Sequence, residues 1–598
     1  MSIQKQHARL ERAWHHGLTA VTACLVGAVC NLVGPARLAS AAVATAPVVP
    51  LKLTLPKLAP VADCASLVNL DVTRYTDAKV TMTAAVATSA TAQPYCKVTM
   101  TVAPANTVVV DLPMTGWSQR YVQSGCGGEC GNVSSSLSPT QSSGCAIVTD
   151  GSILTASTDM GHQGQGSPNG AWAANNPQAI IDFAYRGEHV TAQVAKALAQ
   201  KFYGKTPAYS YFDGCSDGGR EAMMEAQRYP TDFNGIIGGA LVQDGVTQNT
   251  YHHGWNALSN QDANGQYILL AGRLPLLHQL VLNDCDAIDG LSDGLIDDPR
   301  QCHFNPASHL CPTTDTSTCL TAAEAAAAQR LHDGPVDANG VHYDHKIAHE
   351  WGSELAWTLF VPATAAGPSG SINFVTSWYR YMGQPNQVLP TWNVGTDTLP
   401  LTAAGFWNAQ AMAIALTADN PDLSAFHGNG GKMIIWHGWS DQHVTPQGSL
   451  EYFHAVRSQM GAGVEDSFVK LYLFPGVYHC GGGEGPDTAD LLTNMMNWVE
   501  AGVVPNMVVA SQLSSGVVTR TRPVYPFPTV ARYNDDGSDV NSYTSFHPVT
   551  LADTTDASDD DAWIGSTLYT PGHQSACVAN GTQLVCTPAT LPTSVTGL

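Results

Sequence analysis

Along the chain, short apolar runs alternate with amphipathic stretches in two blocks, separated by a region where the alternation lapses. In the first block, residues 72–110 are rich in Val and Thr with period-two alternation, the pattern of half-buried strands. Residues 146–154 and 208–213 read as buried strands, 177–202 and 219–228 as helices, and 235–239 as a further strand. The second block repeats the scheme with strands at 432–436 and 469–474 and helices at 449–460 and 488–500. Such alternation predicts an α/β fold around a largely parallel sheet, because a parallel pair needs a crossover long enough to hold a helix. Residues 242–430 hold loops, four cysteines and scattered aromatics and read as an insertion. Within them, Thr321-Ala-Ala-Glu324 is a capping box opening an Ala-rich helix that runs to Leu331.

The two ends follow other rules. Lys5, Arg9 and Arg12 precede an apolar run at 18–33 and the small-residue step Ala39-Ser40-Ala41, so residues 1–44 are expected to be a cleaved signal peptide. No stable membrane insertion is expected beyond it. Residues 46–60, with four prolines, read as an extended lead-in, and the tail is rich in Asp, Ser and Thr. A net charge of −22 with no basic stripe argues against a nucleic-acid partner, since phosphate binding needs clustered Lys and Arg.

Gly214-Cys215-Ser216-Asp217-Gly218 has the form GxSxG between a strand-like and a helix-like run. A serine on so tight a turn needs small neighbours, so this context reads as a nucleophile elbow. In an α/β-hydrolase the acid and the histidine follow, each just past the C-terminal end of a later strand. Asp441 stands in that position in His437-Gly438-Trp439-Ser440-Asp441, and His479 in Pro475-Gly476-Val477-Tyr478-His479. Serine is a poor nucleophile until an imidazole takes its proton, and a carboxylate must hold that imidazole in one tautomer. Ser216, Asp441 and His479 are therefore the expected catalytic triad.

Cys215 directly precedes this serine and Cys480 directly follows the histidine. Side chains that meet bring their neighbours close, so these two are expected to form a disulfide. Thirteen cysteines remain beyond the leader, and a secreted chain stores them as bridges, with at least one left over because the number is odd. Cys64, Cys96, Cys311 and Cys319 are further candidates, Cys577 with Cys586 would pin the tail, and the pairing among Cys126, Cys130 and Cys145 stays open. Five carboxylates crowd the thirteen residues that follow Cys285, among them Asp286, Asp289 and Asp293, in a stretch that a Cys285–Cys302 bridge would close. They repel unless neutralised, and calcium takes six to eight oxygens, although the missing twelfth-position Glu excludes an EF-hand.

Gly-Cys-Ser-Asp-Gly-Gly-Arg220, Ser440-Asp441, His479-Cys480, the acidic loop, Arg520-Thr-Arg-Pro523 and Ala531-Arg-Tyr533 together resemble the tannase and feruloyl esterase family of secreted serine esterases, over residues 60–545. The resemblance implies an α/β-hydrolase core in two parts, 60–241 and 431–545, with a large lid domain at 242–430 inserted ahead of the acid and a tail at 546–598. It implies a structural calcium in the lid, away from the strand ends that carry the triad, and no organic cofactor. The calcium ligands would be the side chains of Asp286, Asp289 and Asp293 and the carbonyls of Leu291 and Leu295. An oxyanion hole is implied from the amides of Asp217 and of Gly127, the latter in the Gly-rich stretch Ser124-Gly125-Cys126-Gly127-Gly128.

The expected protein is a secreted or periplasmic ester hydrolase that cleaves small esters of aromatic, phenolic acids through an acyl-enzyme. Alternatives are a hydrolase of monohydroxyethyl terephthalate-like esters, a serine peptidase, and a non-catalytic calcium-dependent surface protein. Family members acting on the terephthalate monoester are expected to grip its carboxylate with a lid arginine, for which a planar guanidinium is suited. Residues 381–431 contain neither Arg nor Lys, with Arg380 just outside. Trp378, Tyr379, Trp392, Phe406 and Trp407 offer aromatic walls, of which Trp378 and Trp407 are the expected substrate contacts. Neutral feruloyl or galloyl esters are the expected preference, and the oligomeric state is left open.

Overall fold

Nine strands form one sheet: β1 (Val80–Thr88), β2 (Tyr95–Val102), β3 (Asn106–Pro113), β4 (Arg120–Ser124), β5 (Leu154–Thr158), β6 (Tyr209–Cys215), β7 (Gly235–Gly239), β8 (Lys432–Gly438) and β9 (Val469–Phe474). The computed structural model describes residues 45–587 except 89–92, 135–136, 165–167, 345–346, 385, 553–562 and 572–575, so the expected leader lies outside the described residues. The strand order is β1-β2-β3-β5-β4-β6-β7-β8-β9. The first three strands run antiparallel, β3 meets β5 antiparallel, and β5 through β9 are parallel along the sheet. Among the described residues no helix is long and apolar enough to cross a membrane.

The helices of eight or more residues are α1 (Gly187–Tyr203), α2 (Asp217–Arg228), α3 (Leu274–Cys285), α4 (Ala322–Asp333), α5 (Ser371–Tyr381), α6 (Ala403–Gln410), α7 (Pro446–Met460) and α8 (Leu491–Ala501). Parallel strands covered on both faces read as continuous apolar runs, and the period of two then divides their side chains between two cores. Phe212, Ile236, Met433, Ile435 and Leu471 join α1, α2 and α7 in one cluster. Their neighbours Tyr211, Ile237, Ile434, Trp436 and Tyr472 face α8 in the other.

Two expected elements differ. Residues 146–154 are not one strand: Ala146–Thr149 is a helical turn and the strand begins at Leu154. A short apolar run fits either form, and Gly151 at φ 66° breaks this one. The 177–202 helix is interrupted by a π turn at Asp182–Arg186, which frees the carbonyls of Phe183 and Ala184 to accept from the buried Arg220 (2.9 and 2.7 Å).

The region between β7 and β8 adds no strand to the sheet among the described residues. Its capping box forms as expected, with Thr321 and Glu324 exchanging hydrogen bonds of 2.9 and 3.1 Å. Part of it has its own core around Leu277, Leu331, Trp351 and Trp357. Tyr343, Trp378, Phe406 and Trp407 instead join the main cluster, and Val43–Leu598 is one compact unit. Beyond the sheet, β10 (Val508–Ser514) pairs with β11 (Val517–Val524), β12 (Thr529–Tyr533) with β13 (Phe546–Thr550), and β14 (Cys577–Asn580) with β15 (Gln583–Cys586). The β12–β13 hairpin crosses the boundary expected at 545.

Disulfides join Cys64 to Cys96, Cys215 to Cys480, Cys285 to Cys302, Cys311 to Cys319 and Cys577 to Cys586. The open pairing resolves as Cys126 with Cys130, leaving Cys145 as a buried thiol.

Candidate active site

Ser216 sits between the end of β6 and the start of α2, with φ 68° and ψ −122°. A non-glycine residue rarely takes a positive φ, and the turn holds it by a bond from the Ser216 N–H to the Gly239 carbonyl (3.0 Å). Glycine is required beside it. A Cβ on Gly214 would stand 2.6 Å from the Gly218 carbonyl carbon, and one on Gly218 would stand 2.9 Å from the Cys126 carbonyl oxygen.

The turns after β8 and β9 deliver the partners. His479 Nε2 lies 2.8 Å from Ser216 Oγ, and its Nδ1 lies 2.8 Å from Asp441 Oδ2. Asp441 is 1% exposed and uses all its acceptor capacity. Oδ1 takes the amides of His443 (2.8 Å) and Val444 (2.9 Å), and Oδ2 is shared by His479 and His437 Nε2 (3.1 Å). Burial alone would raise this carboxyl, but the facing His479 and His437 imidazoles hold it well below the usual carboxylate range. The Cys215–Cys480 bridge, with Cα atoms 6.1 Å apart, ties the serine arm to the histidine arm.

The Gly-rich loop after β4 spends two consecutive amides on its own support. Gly125 N–H donates to the Asp213 carbonyl and Cys126 N–H to Glu221 Oε2, each at 3.0 Å. The next amide, that of Gly127, and the amide of Asp217 at the start of α2 have no intramolecular acceptor among the described residues. The Asp217 carboxylate is occupied by Arg220 (2.7 and 2.9 Å). The expected oxyanion donors thus stand on adjoining segments with their N–H groups unspent.

A family model described as tannase and feruloyl esterase matches residues 89–548. The chain belongs to that family. As a tannase/feruloyl esterase family member it is a carboxylic ester hydrolase with an α/β-hydrolase fold. Mono(2-hydroxyethyl) terephthalate hydrolase of Piscinibacter sakaiensis is 31% identical over 485 residues, 72% of this chain and 79% of that protein. A probable feruloyl esterase of Arthroderma benhamiae is 32% identical over 470 residues, 73% and 82% of the two chains. The crystal structure of feruloyl esterase B from Aspergillus oryzae superposes with a TM-score of 0.67 at 25% identity, covering 79% of this chain and 96% of that one. Tannin acyl hydrolase from Aspergillus niger shares the fold, with a TM-score of 0.66 at 20% identity over 83% and 97% of the chains.

Within this family member the two expected substrate contacts, Trp378 and Trp407, are 4% and 7% exposed and pack in the main core. The half-buried Phe374, at an ordinary position in α5, carries no signal in the sequence. Its ring lies 4.8 Å from His443, whose ring lies 4.8 Å from His479. Burial and the neighbouring His479 push His443 down to about 3, so it stays neutral. His437 has one visible signal: it stands four residues before Asp441 at the end of a strand. Arg380 Nε donates to the Trp392 carbonyl (2.6 Å), which engages it.

The acidic loop follows α3 directly. Asp286 Oδ1 accepts the amides of Asp293 (3.2 Å) and Gly294 (3.1 Å), and Asp289 Oδ1 accepts that of Leu291 (2.9 Å). Arg522 pairs with Asp293, Arg520 approaches it at 3.9 Å, and Arg532 reaches Asp297 at 3.5 Å. The Arg520-Thr-Arg-Pro523 and Ala531-Arg-Tyr533 stretches therefore brace this loop. No donor among the described residues reaches the carbonyls of Leu291 and Leu295, although Leu295 is 2% exposed. Unspent carbonyls beside carboxylates are the oxygen set that fits calcium. One expectation is corrected: the loop is not remote from the triad. Leu295 Cδ2 would stand 2.5 Å from a Cβ on Gly476, so the loop packs on the turn that carries His479.

Proposed function

We propose that the chain is a secreted or periplasmic serine esterase acting on esters of aromatic, phenolic acids. The observation that carries this reading is the Ser216–His479–Asp441 chain, at 2.8 Å for each contact, on the strand ends of an esterase family fold. Ser216 Oγ attacks the ester carbonyl while His479 Nε2 takes its proton, and Asp441 holds the Nδ1–H. The amides of Gly127 and Asp217 receive the developing oxyanion, an interaction worth a few kcal/mol per donor. His479 then gives the proton to the departing alcohol, and water releases the acid by the same steps in reverse. Calcium, held by Asp286, Asp289, Asp293 and the Leu291 and Leu295 carbonyls, would neutralise the acidic loop and stiffen the lid. Six disulfides support an oxidising compartment.

The preferred acyl group is neutral, feruloyl or galloyl in type. Residues 381–431 lack Arg and Lys, Arg380 is engaged by Trp392, and the uncharged Phe374 lies against His443, the neighbour of His479. The relative named for the terephthalate monoester makes that ester the rival substrate. Turnover of methyl ferulate, methyl gallate, caffeoyl quinate and the terephthalate monoester is the test, with a feruloyl anilide to score peptidase action. Higher kcat/KM on the terephthalate monoester than on both methyl esters overturns the preference.

A further inference from the structure

Glu221 lies one helical turn after Asp217 in α2 and is 1% exposed. Its Oε2 accepts the Cys126 N–H at 3.0 Å, and both sulfurs of the Cys126–Cys130 bridge lie against Oε1, at 2.8 and 3.3 Å. Those sulfurs are oxidised, so this group of two cysteines and two carboxylates is not a thiolate metal site. The approach is close because the loop residue facing Glu221 has no side chain: a Cβ on Gly125 would stand 2.6 Å from Glu221 Oε2 and 2.7 Å from Gly218 Cα. Behind Glu221 the support continues. The buried Glu188, whose charge acts on Glu221, is itself held by a hydrogen bond from the Gln123 amide.

One helix therefore fixes both oxyanion donors. Its first amide, on Asp217, is one of them, and its Glu221 side chain grips the residue preceding the other. Resting on the oxyanion-hole reading above, we propose that Glu221 is a positioning residue that sets the Gly127 amide by anchoring Cys126, with the Cys126–Cys130 bridge closing the loop around it. Gly125 is pinned to β6 and Cys126 to α2, so the peptide plane of Gly127 has little freedom left. Burial, with the charges of Glu188 and Asp217, pushes Glu221 well above the usual carboxylate range. Glutamine matches glutamate in shape and keeps an oxygen for the Cys126 amide.

The test uses the full-length enzyme with methyl ferulate and, as a tetrahedral-adduct probe of the oxyanion hole, phenylboronic acid. Glu221→Leu lowers kcat by about 30- to 100-fold, less than the 10²–10³ typical of deleting a donor, with KM within about threefold. The inhibition constant of the boronate rises in step with the fall in kcat. Glu221→Gln restores kcat to within about fivefold of wild type. Glu221→Asp, too short to reach the amide, repeats the loss if the leucine variant does not fold. A folded Leu or Asp variant with kcat within threefold of wild type, or one in which only KM changes, overturns the inference. Gly127→Pro removes the amide itself at a position where a Cβ meets nothing within 4 Å. If that variant keeps its kcat, the oxyanion reading fails; if it loses kcat while the Glu221 variants do not, only the role of Glu221 fails.

Discussion

Removal of the Cys215–Cys480 bridge, by the double variant Cys215→Ala/Cys480→Ala, separates what the bridge does for stability from what it does for geometry. It closes 265 residues of chain, which in the chain-entropy relation restricts the denatured state by about 5–6 kcal/mol. The bridges nested inside it span only 17 and 8 residues and shorten that loop little. Spread over a chain this long, the loss lowers Tm by about 5 °C, leaving a folded protein at 25 °C. The geometric loss is what an assay at 25 °C reads. Cys480 holds a positive φ of 58° next to His479, and the bridge is the covalent tie between that turn and the serine turn. Relaxation by about 1 Å of the 2.8 Å Ser216–His479 contact costs about 10²-fold in rate. Kinetics on methyl ferulate, with far-UV circular dichroism and calorimetry on the same samples, should therefore show kcat/KM falling about a hundredfold below the unfolding range. A double variant with activity within threefold of wild type refutes the positioning argument, whatever its Tm.

Asp441→Asn should leave the fold intact and lower kcat by about 10³–10⁴, because the amide favours the wrong imidazole tautomer, while Ser216→Ala abolishes the acyl-enzyme seen by mass spectrometry. Prolonged chelation should lower Tm and fresh calcium restore it, since an ion at a hundredfold excess over its Kd stabilises by about 2.7 kcal/mol; pure active enzyme without calcium by elemental analysis removes the site. Burial pushes Glu129 up to about 7. A raised acid pKa penalises folding increasingly from the unfolded value near 4.5 up to 7, so Glu129→Gln should stabilise by up to about 3 kcal/mol at pH 8 and by little at pH 4. Equal gains at both pH values would contradict that assignment.

The triad was legible because each member follows the end of a strand, and strand ends are marked by a local pattern: an apolar run, then Gly, Ser or Asp. The Cys215–Cys480 bridge was legible for the same reason, since two neighbours of reacting groups must meet. Other features depend on contacts that no local pattern encodes. Three cysteines within twenty residues left the Cys126–Cys130 pairing open, and only the turn closed by the Cys130 N–H on the Gly127 carbonyl (3.1 Å) selects it. Trp378 resembles an aromatic wall as readily as it resembles core, and its packing against Gly245 within the main cluster settles its burial. Glu221 and Phe374 carry ordinary helical positions and acquire their place only when the β4 loop and the acid turn are brought onto them.

The site is built as two arms that the insertion separates in sequence. Ser216, Asp217 and the Gly127 loop belong to the part before the insertion and are locked to one another by backbone contact between Gly125 and Gly218. Asp441 and His479 belong to the part after it, and the acidic loop packs on that arm through Leu295 and Gly476. Strain entering from the acidic loop is thus passed to the turn that carries His479. Between the arms, the parallel β6–β7–β8–β9 register sets the coarse spacing, and the Cys215–Cys480 bridge sets the last ångström. Changes in the acidic loop should accordingly alter proton transfer at His479 while leaving the affinity for a tetrahedral adduct nearly unchanged, the opposite signature to changes around Glu221.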